Sequence, residues 1–375
     1  MRTPPLILVV DDNPANVEIL QMRLAANNYD IITAMDGESG LAMAIDRQPD
    51  LILLDIMMPK MDGLEVCSRL KGDPSLPFMP IILVTAKADS KDVVAGLEAG
   101  GDEYLTKPLD KAALVARVKS MLRIKSLHDR VLGQSTQLKL QLKTATKIQS
   151  LFWPNIPQLE AGSNIWALSI PASYVGGDLY DIILLPDESL LVYVADVSDK
   201  GVPAALIMAA LSAKIRSEAR IQTDVNKLLE SVNNSLHRLI SEEGFFATIV
   251  IVRYWPKTGK MQFSIGGHFQ PLWIVESGIG DFPQAKGISL GITPDIHYEK
   301  KETILSPGEA ILLYTDGVIE AENERNELYG YDRMVSYIKN SKGPPWGKGL
   351  TNEIGKWRGN AKASDDLTLL EIWRD

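Results

Sequence analysis

Cysteine and histidine are the scarcest reactive residues of this chain. There is one cysteine, Cys67, and there are four histidines among 375 residues. A single cysteine excludes a disulfide bond within the chain, and so few scattered ligands argue against a zinc site. Cys67 lies on the apolar face of a helical pattern, so we expect it to be a small buried hydrophobic residue.

Long apolar segments are also missing. No run approaches the roughly 18 residues that a membrane-spanning helix requires. One arginine and five apolar residues precede Asp11, which is too short a segment for a signal peptide. We therefore expect a cytoplasmic protein, and at roughly 150 residues per domain the length allows two or three domains. The net charge of -9 argues against general affinity for nucleic acids.

The first third of the chain alternates short apolar runs with amphipathic helical patterns. Nearly continuous apolar strands separated by helices are typical of a parallel sheet covered on both faces. We therefore predict a doubly wound α/β domain with a five-stranded parallel sheet. The predicted strands are Leu6–Val10, Ile31–Ala34, Leu51–Leu54, Ile81–Val84 and Tyr104–Leu105.

Polar side chains follow these strands at their carboxyl ends, where function collects in such folds. They are Asp11, Asp12, Asp55, Thr85 and Lys107. Three carboxylates that meet at one point repel each other unless a cation holds them, and Mg²⁺ prefers such oxygen ligands. With a lysine and a hydroxyl beside it, Asp55 can accept a phosphoryl group. The alternative is that the acids only cap helices, which does not explain Asp55 and Lys107.

This set, together with the loop Met57-Met58-Pro59 and Met61-Asp62-Gly63, resembles the two-component receiver domains of the CheY type. The resemblance implies that Asp55 is the phospho-acceptor, that a histidine kinase or phosphotransfer protein is its donor, and that Lys107-Pro108 is a cis peptide. It also implies the remaining roles: Mg²⁺ ligands (Asp11, Asp12, Asp55 and the carbonyl of Met57), catalytic lysine and hydroxyl (Lys107 and Thr85), and switch residues (Thr85 and Tyr104).

A proline-free helical pattern then extends from residue 109 to 153. Apolar residues recur every seven positions, and nine Lys and Arg against one acid make Lys111–Lys147 basic. The repeat predicts a coiled-coil-like linker that pairs in a homodimer. A solvated helix packed on its own domains is one alternative, and nucleic-acid binding is another, although no base-reading module accompanies it. The seam consists of Ile124, Val131, Leu138, Ala145 and Phe152.

The rest of the chain is organised around the stretch 191–205, LVYVADVSDKGVPAA. An apolar strand ends at Asp196, the chain turns through Gly201, and a helix starts near Pro203. Carboxylates at the mouth of a strand indicate an oxygen-ligated metal site, although such residues are often only caps or turns. Three further acidic turns favour the metal interpretation: Gly176-Gly-Asp178-Leu-Tyr-Asp181, Tyr314-Thr-Asp316-Gly317 and Ser364-Asp365-Asp366-Leu-Thr368.

In this order the four motifs, with the Gly267-His268 turn and Leu305-Ser-Pro-Gly-Glu309, resemble the PPM/SpoIIE-type serine/threonine protein phosphatases. The resemblance covers about residues 150 to 375. It implies an α-β-β-α sandwich that uses two Mn²⁺ or Mg²⁺ ions to hydrolyse a phosphoserine or phosphothreonine. The implied metal ligands are Asp178, the bridging and catalytic Asp196, the carbonyl of Val197, Asp316 and Asp365; Asp181 and Asp366 would orient ligands or waters.

Two roles stay open at this stage. Asp199 is a candidate for an extra ion, and His268 is either a proton donor or, as we favour, a structural turn residue. Phe269 and Ser289 depart from the family pattern of Gly-His-Asn-Pro-Pro and Gly-x-Pro-Leu-Gly. Neither is an implied metal ligand, so we expect them to affect surface shape and partner choice.

Two other functions compete with a phosphatase. The sequence Gly-Gly-Asp, which ends here at Asp178, also occurs in the diguanylate cyclase motif, but Leu179 replaces the second acid that this motif requires. A pseudophosphatase adaptor is the stronger rival, although such proteins typically lose metal carboxylates. The expected substrate is a phosphorylated STAS-domain anti-anti-sigma factor, opposed by a kinase on a separate protein because no ATPase segment follows residue 375. The expected domains are a receiver (1–122), a linker helix (123–153) and a phosphatase domain (154–375).

Overall fold

The computed structural model describes residues 2–85, 94, 96–159, 162–341 and 343–375. The chain divides into two compact units, Met1–Lys139 and Leu140–Asp375. The division falls inside one long helix, Lys111–Gln149, here called the connector helix, and within the predicted linker. The boundaries at 122 and 153 stay a prediction.

The first unit contains a five-stranded parallel sheet with the strand order β2-β1-β3-β4-β5, as predicted. Strands β1, β3 and β4 are buried along their whole length, which explains their continuous apolar sequences. The strands are β1 (Leu6–Val10), β2 (Asp30–Ala34), β3 (Leu51–Asp55), β4 (Ile81–Thr85) and β5 (Glu103–Thr106).

Helices cover both faces of this sheet and form two apolar cores with it. Asn13, Asp36 and Asp62 precede three of these helices, and each side chain accepts a backbone N–H of the first turn. Cys67 is fully buried among aliphatic residues, which confirms its predicted place. The helices are Pro14–Ala25, Gly37–Arg47, Gly63–Gly72 and the first turns of the connector helix.

The apolar residues of the connector helix have two different environments. Leu114, Val118 and Met121 are buried in the core of the first unit. Val131 and Leu138 of the predicted seam are more than half exposed. Propensity and local pairs alone support a helix of this kind weakly, so an exposed apolar repeat is expected to find a partner.

The second unit contains two five-stranded antiparallel sheets with the strand orders β13-β10-β9-β8-β7 and β12-β11-β14-β15-β6. The sheets enclose one apolar core, and a pair of helices packs on the outer face of each. This arrangement confirms the predicted α-β-β-α sandwich. The strands are β6 (Ser163–Ile170), β7 (Leu179–Leu184), β8 (Leu190–Val197), β9 (Ala247–Tyr254), β10 (Lys260–Gly266), β11 (Leu272–Val275), β12 (Gly278–Gly280), β13 (Lys301–Ile304), β14 (Ala310–Tyr314) and β15 (Leu367–Arg374).

One helix of this unit, Trp346–Arg358, is absent from the sequence prediction. Its three glycines lower the helix propensity of the segment. The structure stabilises its first turn through Glu371, a fully buried residue of β15 that accepts the N–H groups of Trp346 and Gly347. The other helices of the unit are Val202–Glu218, Val225–Ile240 and Tyr331–Asn340. No helix in the described part of the chain combines the length and apolar character needed to cross a bilayer.

Two candidate acidic sites

The predicted acids of the first unit converge at the carboxyl edge of its sheet. Carboxylate oxygens of Asp11, Asp12 and Asp55 lie within 4.8 Å of one another. Lys107 Nζ donates to Asp11 Oδ2 at 2.9 Å and to Asp55 Oδ2 at 2.8 Å. Asp11 and Asp55 are buried, whereas Asp12 is exposed. The lysine therefore offsets part of the negative charge of the two buried carboxylates, and Asp12 is open to solvent.

The pKa values of this first site reflect burial and pairing together. Burial raises the pKa of Asp55, and the hydrogen bond and charge of Lys107 only partly oppose this rise. Burial lowers the pKa of Lys107, but hydrogen bonds to Asp55 and Asp11 outweigh it and leave the pKa raised. Lys107 thus stays a cation beside the predicted phospho-acceptor.

The other predicted receiver residues surround this cluster. Thr85 is buried at the end of β4, and Tyr104 on β5 is 39% exposed. Both line the same small pocket. Met57 follows Asp55 with an exposed side chain, and the Lys107-Pro108 peptide is cis, as the resemblance implied.

The acids of the second unit come in two pairs, one from each sheet. Asp178 directly precedes β7 and Asp196 lies near the end of β8, its neighbouring strand. Asp316 follows β14 and Asp365 precedes β15, which pairs with β14. The mouth of the sandwich therefore collects all four carboxylates that the sequence predicts as metal ligands.

Charge repulsion among these carboxylates is visible in their pKa values. Burial and the charge of Asp196 raise the pKa of Asp178 well above its usual value. Burial, then the charges of Asp316 and Asp365, raise the pKa of Asp196 to about 7. Burial and the charge of Asp365 also raise the pKa of Asp316. Because Asp196 is influenced by acids from both sheets, its position agrees with the predicted bridging role.

A fifth acid, which the sequence reasoning missed, joins the second pair. Oxygens of Asp316, Glu320 and Asp365 lie within 4.8 Å of one another. Glu320 follows Asp316 by four residues across the short 3-10 turn Asp316–Val318. The sequence shows this spacing, so an acid four residues after the predicted ligand Asp316 could have indicated Glu320 as a further candidate ligand.

Asp366 holds the loop that carries Asp178. Its carboxylate accepts the backbone N–H groups of Ala172 at 2.7 Å and Gly177 at 2.8 Å. A Cβ at Gly176 would lie 2.1 Å from Asp366 Oδ2, so only glycine permits this close approach. These contacts agree with the predicted role of Asp366 in orienting a ligand.

Asp178 itself is fixed by a hydroxyl. Thr315 Oγ1 donates to Asp178 Oδ2 at 2.7 Å and accepts the N–H of Thr368 at 3.0 Å. The carbonyl of Val197, a predicted ligand, faces the same loop, since a Cβ at Gly177 would lie 2.7 Å from it. Strand ends from both sheets therefore lock the position of Asp178.

The contacts of Asp181 differ from those expected. Its fully buried carboxylate accepts Arg216 Nε at 2.7 Å and Nη2 at 2.9 Å, and the hydroxyl of Tyr193 at 3.3 Å. Within the described part of the chain it forms no hydrogen bond with another acid-site residue. Asp181 thus anchors the helix Val202–Glu218 to β7, and its contacts give no support to the predicted role in orienting ligands.

The end of the connector helix also contacts this loop. Gln149 Nε2 donates to Gly176 O at 2.7 Å, and Gly176 N donates to Gln149 Oε1 at 3.1 Å. Thr146 Oγ1 additionally donates to Tyr174 O. Gln149 is buried, so its amide is satisfied by the loop two residues before Asp178. Gln149 thus joins the end of the connector helix to the loop that carries Asp178.

His268 links the two sheets rather than facing the acids as a proton donor. Its Nε2 lies 3.0 Å from Tyr314 O, and its Nδ1 lies 2.7 Å from Thr248 Oγ1. Burial lowers the pKa of His268 to about 4, so the ring is neutral at pH 7 and donates to the carbonyl. The contacts favour the structural role that the sequence analysis preferred.

The two departures from the family pattern lie beside His268. Phe269 stacks on Tyr314 with ring centroids 5.7 Å apart. A Cβ at Gly267 would lie 2.1 Å from Ser289 Oγ, so this glycine and this serine are packed against each other. Asp199 is exposed and has a positive φ of 71°.

The donor set of the second site fits divalent cations. Oxygens of Asp316, Glu320 and Asp365 lie within 4.8 Å of one another, and the charges of neighbouring acids act on Asp178 and Asp196. Burial of such like charges is unfavourable without positive charge. Among the described residues, Lys200 is the one basic side chain in an ion pair with any of the four predicted acids. The first site likewise offers three carboxylates to one hard cation.

Comparisons with known proteins agree with both halves of the structure. The model for the response regulator receiver domain matches residues 7–119, and that for Stage II sporulation protein E (SpoIIE) matches residues 186–375. The second match spans just over half of the chain, which therefore belongs to the SpoIIE family. Fold and sites together define a two-component response regulator with a CheY-like receiver domain and a PPM/SpoIIE-type phosphatase domain.

Each of two curated relatives matches about a third of the chain. The chain is 50% identical over 123 residues to response regulator PleD of Caulobacter vibrioides, covering 33% of this chain and 27% of that protein. It is 49% identical over 117 residues to the alkaline phosphatase synthesis transcriptional regulatory protein PhoP of Bacillus subtilis, covering 31% of this chain and 48% of that protein. The chain thus spans between about a quarter and a half of these relatives.

The second unit has a solved structural counterpart. The SiaA-PP2C domain of Pseudomonas aeruginosa covers 64% of this chain and 99% of its own length, with a TM-score of 0.55 and 21% identity. This likeness shows the fold of the phosphatase domain.

Proposed function

We propose that phosphorylation of Asp55 controls a metal-dependent hydrolysis of phosphoserine or phosphothreonine on a partner protein. The observation that carries this proposal is the convergence of Asp178 and Asp196 with Asp316 and Asp365 from two sheets, with the pKa of Asp196 raised to about 7. Receiver and SpoIIE family matches on one chain support the coupling of the two activities.

The four acids would hold two Mn²⁺ or Mg²⁺ ions, which when bound polarise a phosphate and supply hydroxide near neutral pH. Asp196 receives the charge of acids from both sheets, which supports its proposed role as a ligand shared by both ions, and the Val197 carbonyl would be a further ligand. Thr315 and Asp366 fix the Asp178 carboxylate and its loop, so little reorganisation is required on binding. Asp11, Asp12 and Asp55 would hold the Mg²⁺ of the receiver.

The experiment is phosphate release from a phosphoserine STAS-domain protein by the full chain, with Mn²⁺ and after chelation. We expect release only with the ion. The choice of an anti-anti-sigma factor rests on the family resemblance, so a phosphothreonine peptide is tested in parallel. If a chain that binds Mn²⁺ released no phosphate from either, the pseudophosphatase adaptor would be the better account.

Regulation is tested through the first site. Acetyl phosphate with Mg²⁺ should phosphorylate the wild type and leave Asp55→Asn unmodified, as checked by intact mass. The added charge beside Lys107 and Thr85 is expected to move both and to repack Tyr104. A changed phosphatase rate supports control by the receiver, and equal rates at proven full phosphorylation contradict it.

The exposed seam of the connector helix supports a homodimer. Leu138 is 57% exposed and lies in the middle of the repeat, so Leu138→Asp would place a charge in the paired helices. We expect monomers by light scattering with Mn²⁺ binding intact, and Lys139→Asp, next to the seam, is the matched control. A Leu138→Asp variant that stayed dimeric would show that the seam packs elsewhere.

A further inference from the structure

Lys200 is the feature of the second site that metal coordination does not explain. Its Nζ lies 2.9 Å from Asp365 Oδ2 and donates to Ser364 O at 2.6 Å. The side chain is 58% exposed, whereas Asp365 is 26% exposed. An ion pair at this exposure contributes little to stability, so folding alone does not account for a lysine here.

The local backbone directs Lys200 to the mouth of the site. Asp199 and Gly201 on either side have positive φ values of 71° and 77°. The helix Val202–Glu218 starts directly after this turn, and no side chain caps its first N–H groups. The positive end of a helix and an ammonium group therefore lie at the same edge of the acidic cluster.

The positive charge of Lys200 at this edge of the acidic cluster favours an anionic ligand. Lys200 is paired with Asp365 but keeps 58% of its side chain exposed, so its positive charge lies at the solvent side of the predicted metal ligands. The ammonium is thus a permanent cation next to the predicted metal ligands and open to solvent on its outer side. Arg216, a further basic residue near these motifs, is paired with Asp181.

We propose that Lys200 binds the phosphate group of the substrate, as the donor to a phosphate oxygen on the solvent side of the cluster. This inference rests on the proposed phosphatase function and assigns it a phosphate-binding residue. An ammonium bound to a phosphate forms a charge-assisted hydrogen bond, which is roughly twice as strong as a neutral one.

The test measures binding of inorganic phosphate to the Mg²⁺-loaded full chain by calorimetry, with Mg²⁺ affinity measured separately on each variant. Lys200→Met should weaken phosphate binding about tenfold at saturating Mg²⁺, the effect expected for one lost charged hydrogen bond. Lys200→Arg should restore most of the affinity. Lys214→Met, on the helix that follows and paired with Glu218, is the matched control.

Each result has a distinct meaning. Unchanged phosphate affinity in Lys200→Met overturns the proposal, as does a loss that disappears once the Mg²⁺ concentration is raised, because Lys200 would then act only on the ions. A Mg²⁺-loaded wild type that binds no phosphate also overturns it. A wild type that binds no Mg²⁺ at the second site would instead contradict the proposed phosphatase function. Raised KM with little change in kcat for a phosphoserine peptide would support the proposal independently.

Discussion

The two acidic sites of this chain solve the same electrostatic problem differently. In the receiver, Lys107 is 23% exposed and contacts two buried carboxylates, Asp11 and Asp55. In the phosphatase domain, Lys200 is 58% exposed and pairs with Asp365 alone. The first site carries a half-buried cation that contacts two of its acids, whereas several acids of the second site have no such partner among the described residues.

This difference shows in the pKa values of the acids. Lys107 partly offsets the burial of Asp55, whereas only other acids and burial act strongly on Asp196, whose pKa rises to about 7. A site short of positive charge binds divalent cations as part of its structure, while a site with a lysine needs one ion only during phosphotransfer. The comparison therefore predicts that metal removal affects the two domains unequally.

The largest expected effect is on phosphoserine hydrolysis, which should depend on Asp196 far more than on Asp55. Asp196→Asn removes the predicted bridging ligand and should lower phosphoserine hydrolysis by about a thousandfold, or about 4 kcal/mol of transition-state stabilisation. Asp55→Asn should abolish phosphorylation by acetyl phosphate but keep basal hydrolysis. Glu242→Gln, an exposed acid of the phosphatase domain, is the control. Wild-type turnover in Asp196→Asn at saturating Mn²⁺ would refute the two-metal assignment.

Substitution of a tightly packed glycine should disturb one acidic site and leave the other unchanged. A Cβ at Gly176 would lie 2.1 Å from Asp366 Oδ2, and a Cβ at Gly63 would lie 2.2 Å from Asp55 O. Gly176→Ala should weaken Mn²⁺ binding by the phosphatase domain about tenfold or more, as expected for disturbing the support of a ligand. Gly63→Ala should impair phosphorylation of Asp55 and leave that Mn²⁺ affinity unchanged.

The matched control for Gly176→Ala is Gly355→Ala, because no atom lies within 4 Å of a Cβ at that helical glycine. It should keep wild-type Mn²⁺ affinity, measured by calorimetry. If Gly176→Ala bound Mn²⁺ as tightly as this control, the loop would not position Asp178.

The third effect concerns stability without metal. Burial and neighbouring acids raise the folded pKa of Asp196 from 3.8 to about 7, so the folded state binds a proton that the unfolded state releases. The contribution of Asp196 to the free energy of unfolding of the metal-free domain should therefore be most favourable below pH 4. It should fall by about 2–4 kcal/mol as the pH rises to 7. Asp196→Asn should be more stable than the wild type at pH 8 and equal to it at pH 4.

All seven tryptophans lie in the second unit, so their fluorescence reports its unfolding in urea. Mn²⁺ should remove the contribution of Asp196 to the pH dependence. Burial also raises the pKa of Glu371, which accepts the N–H groups of Trp346 and Gly347, to about 7. This contribution should persist with Mn²⁺ and vanish in Glu371→Gln. If Mn²⁺ left the pH dependence of stability unchanged, this would contradict the claim that the second site is short of positive charge.

The sequence predicted the strands and the acids at their ends well, for physical reasons. Buried strands such as β3 and β8 consist of nearly continuous apolar residues with an aspartate at or near the end. One sequence pattern therefore indicates both the strand and the acidic site residue that it positions. Strand β13 gives little signal in the sequence because it is a partly exposed edge strand with the sequence KETI. The helix Trp346–Arg358 was missed because packing and Glu371 override its glycines.

The supporting residues could not be predicted because their roles depend on distant contacts. Thr315 meets Asp178 across 137 positions, and Gln149 meets Gly176 across 27. The family resemblance implied that Asp181 orients ligands or waters, but alternation along β7 and the charge of Arg216 place its carboxylate in an ion pair.

The central claim is that the phosphatase acids need divalent ions because no lysine in the described part of the chain pairs with them as Lys107 pairs with the receiver acids. Electron paramagnetic resonance of free Mn²⁺ counts the tightly bound ions on the full chain directly. Because the receiver site is the same in both proteins, the difference between the wild type and Asp196→Asn reports the second site alone. The account predicts two more tightly bound ions in the wild type, and equal numbers in the two proteins would contradict it.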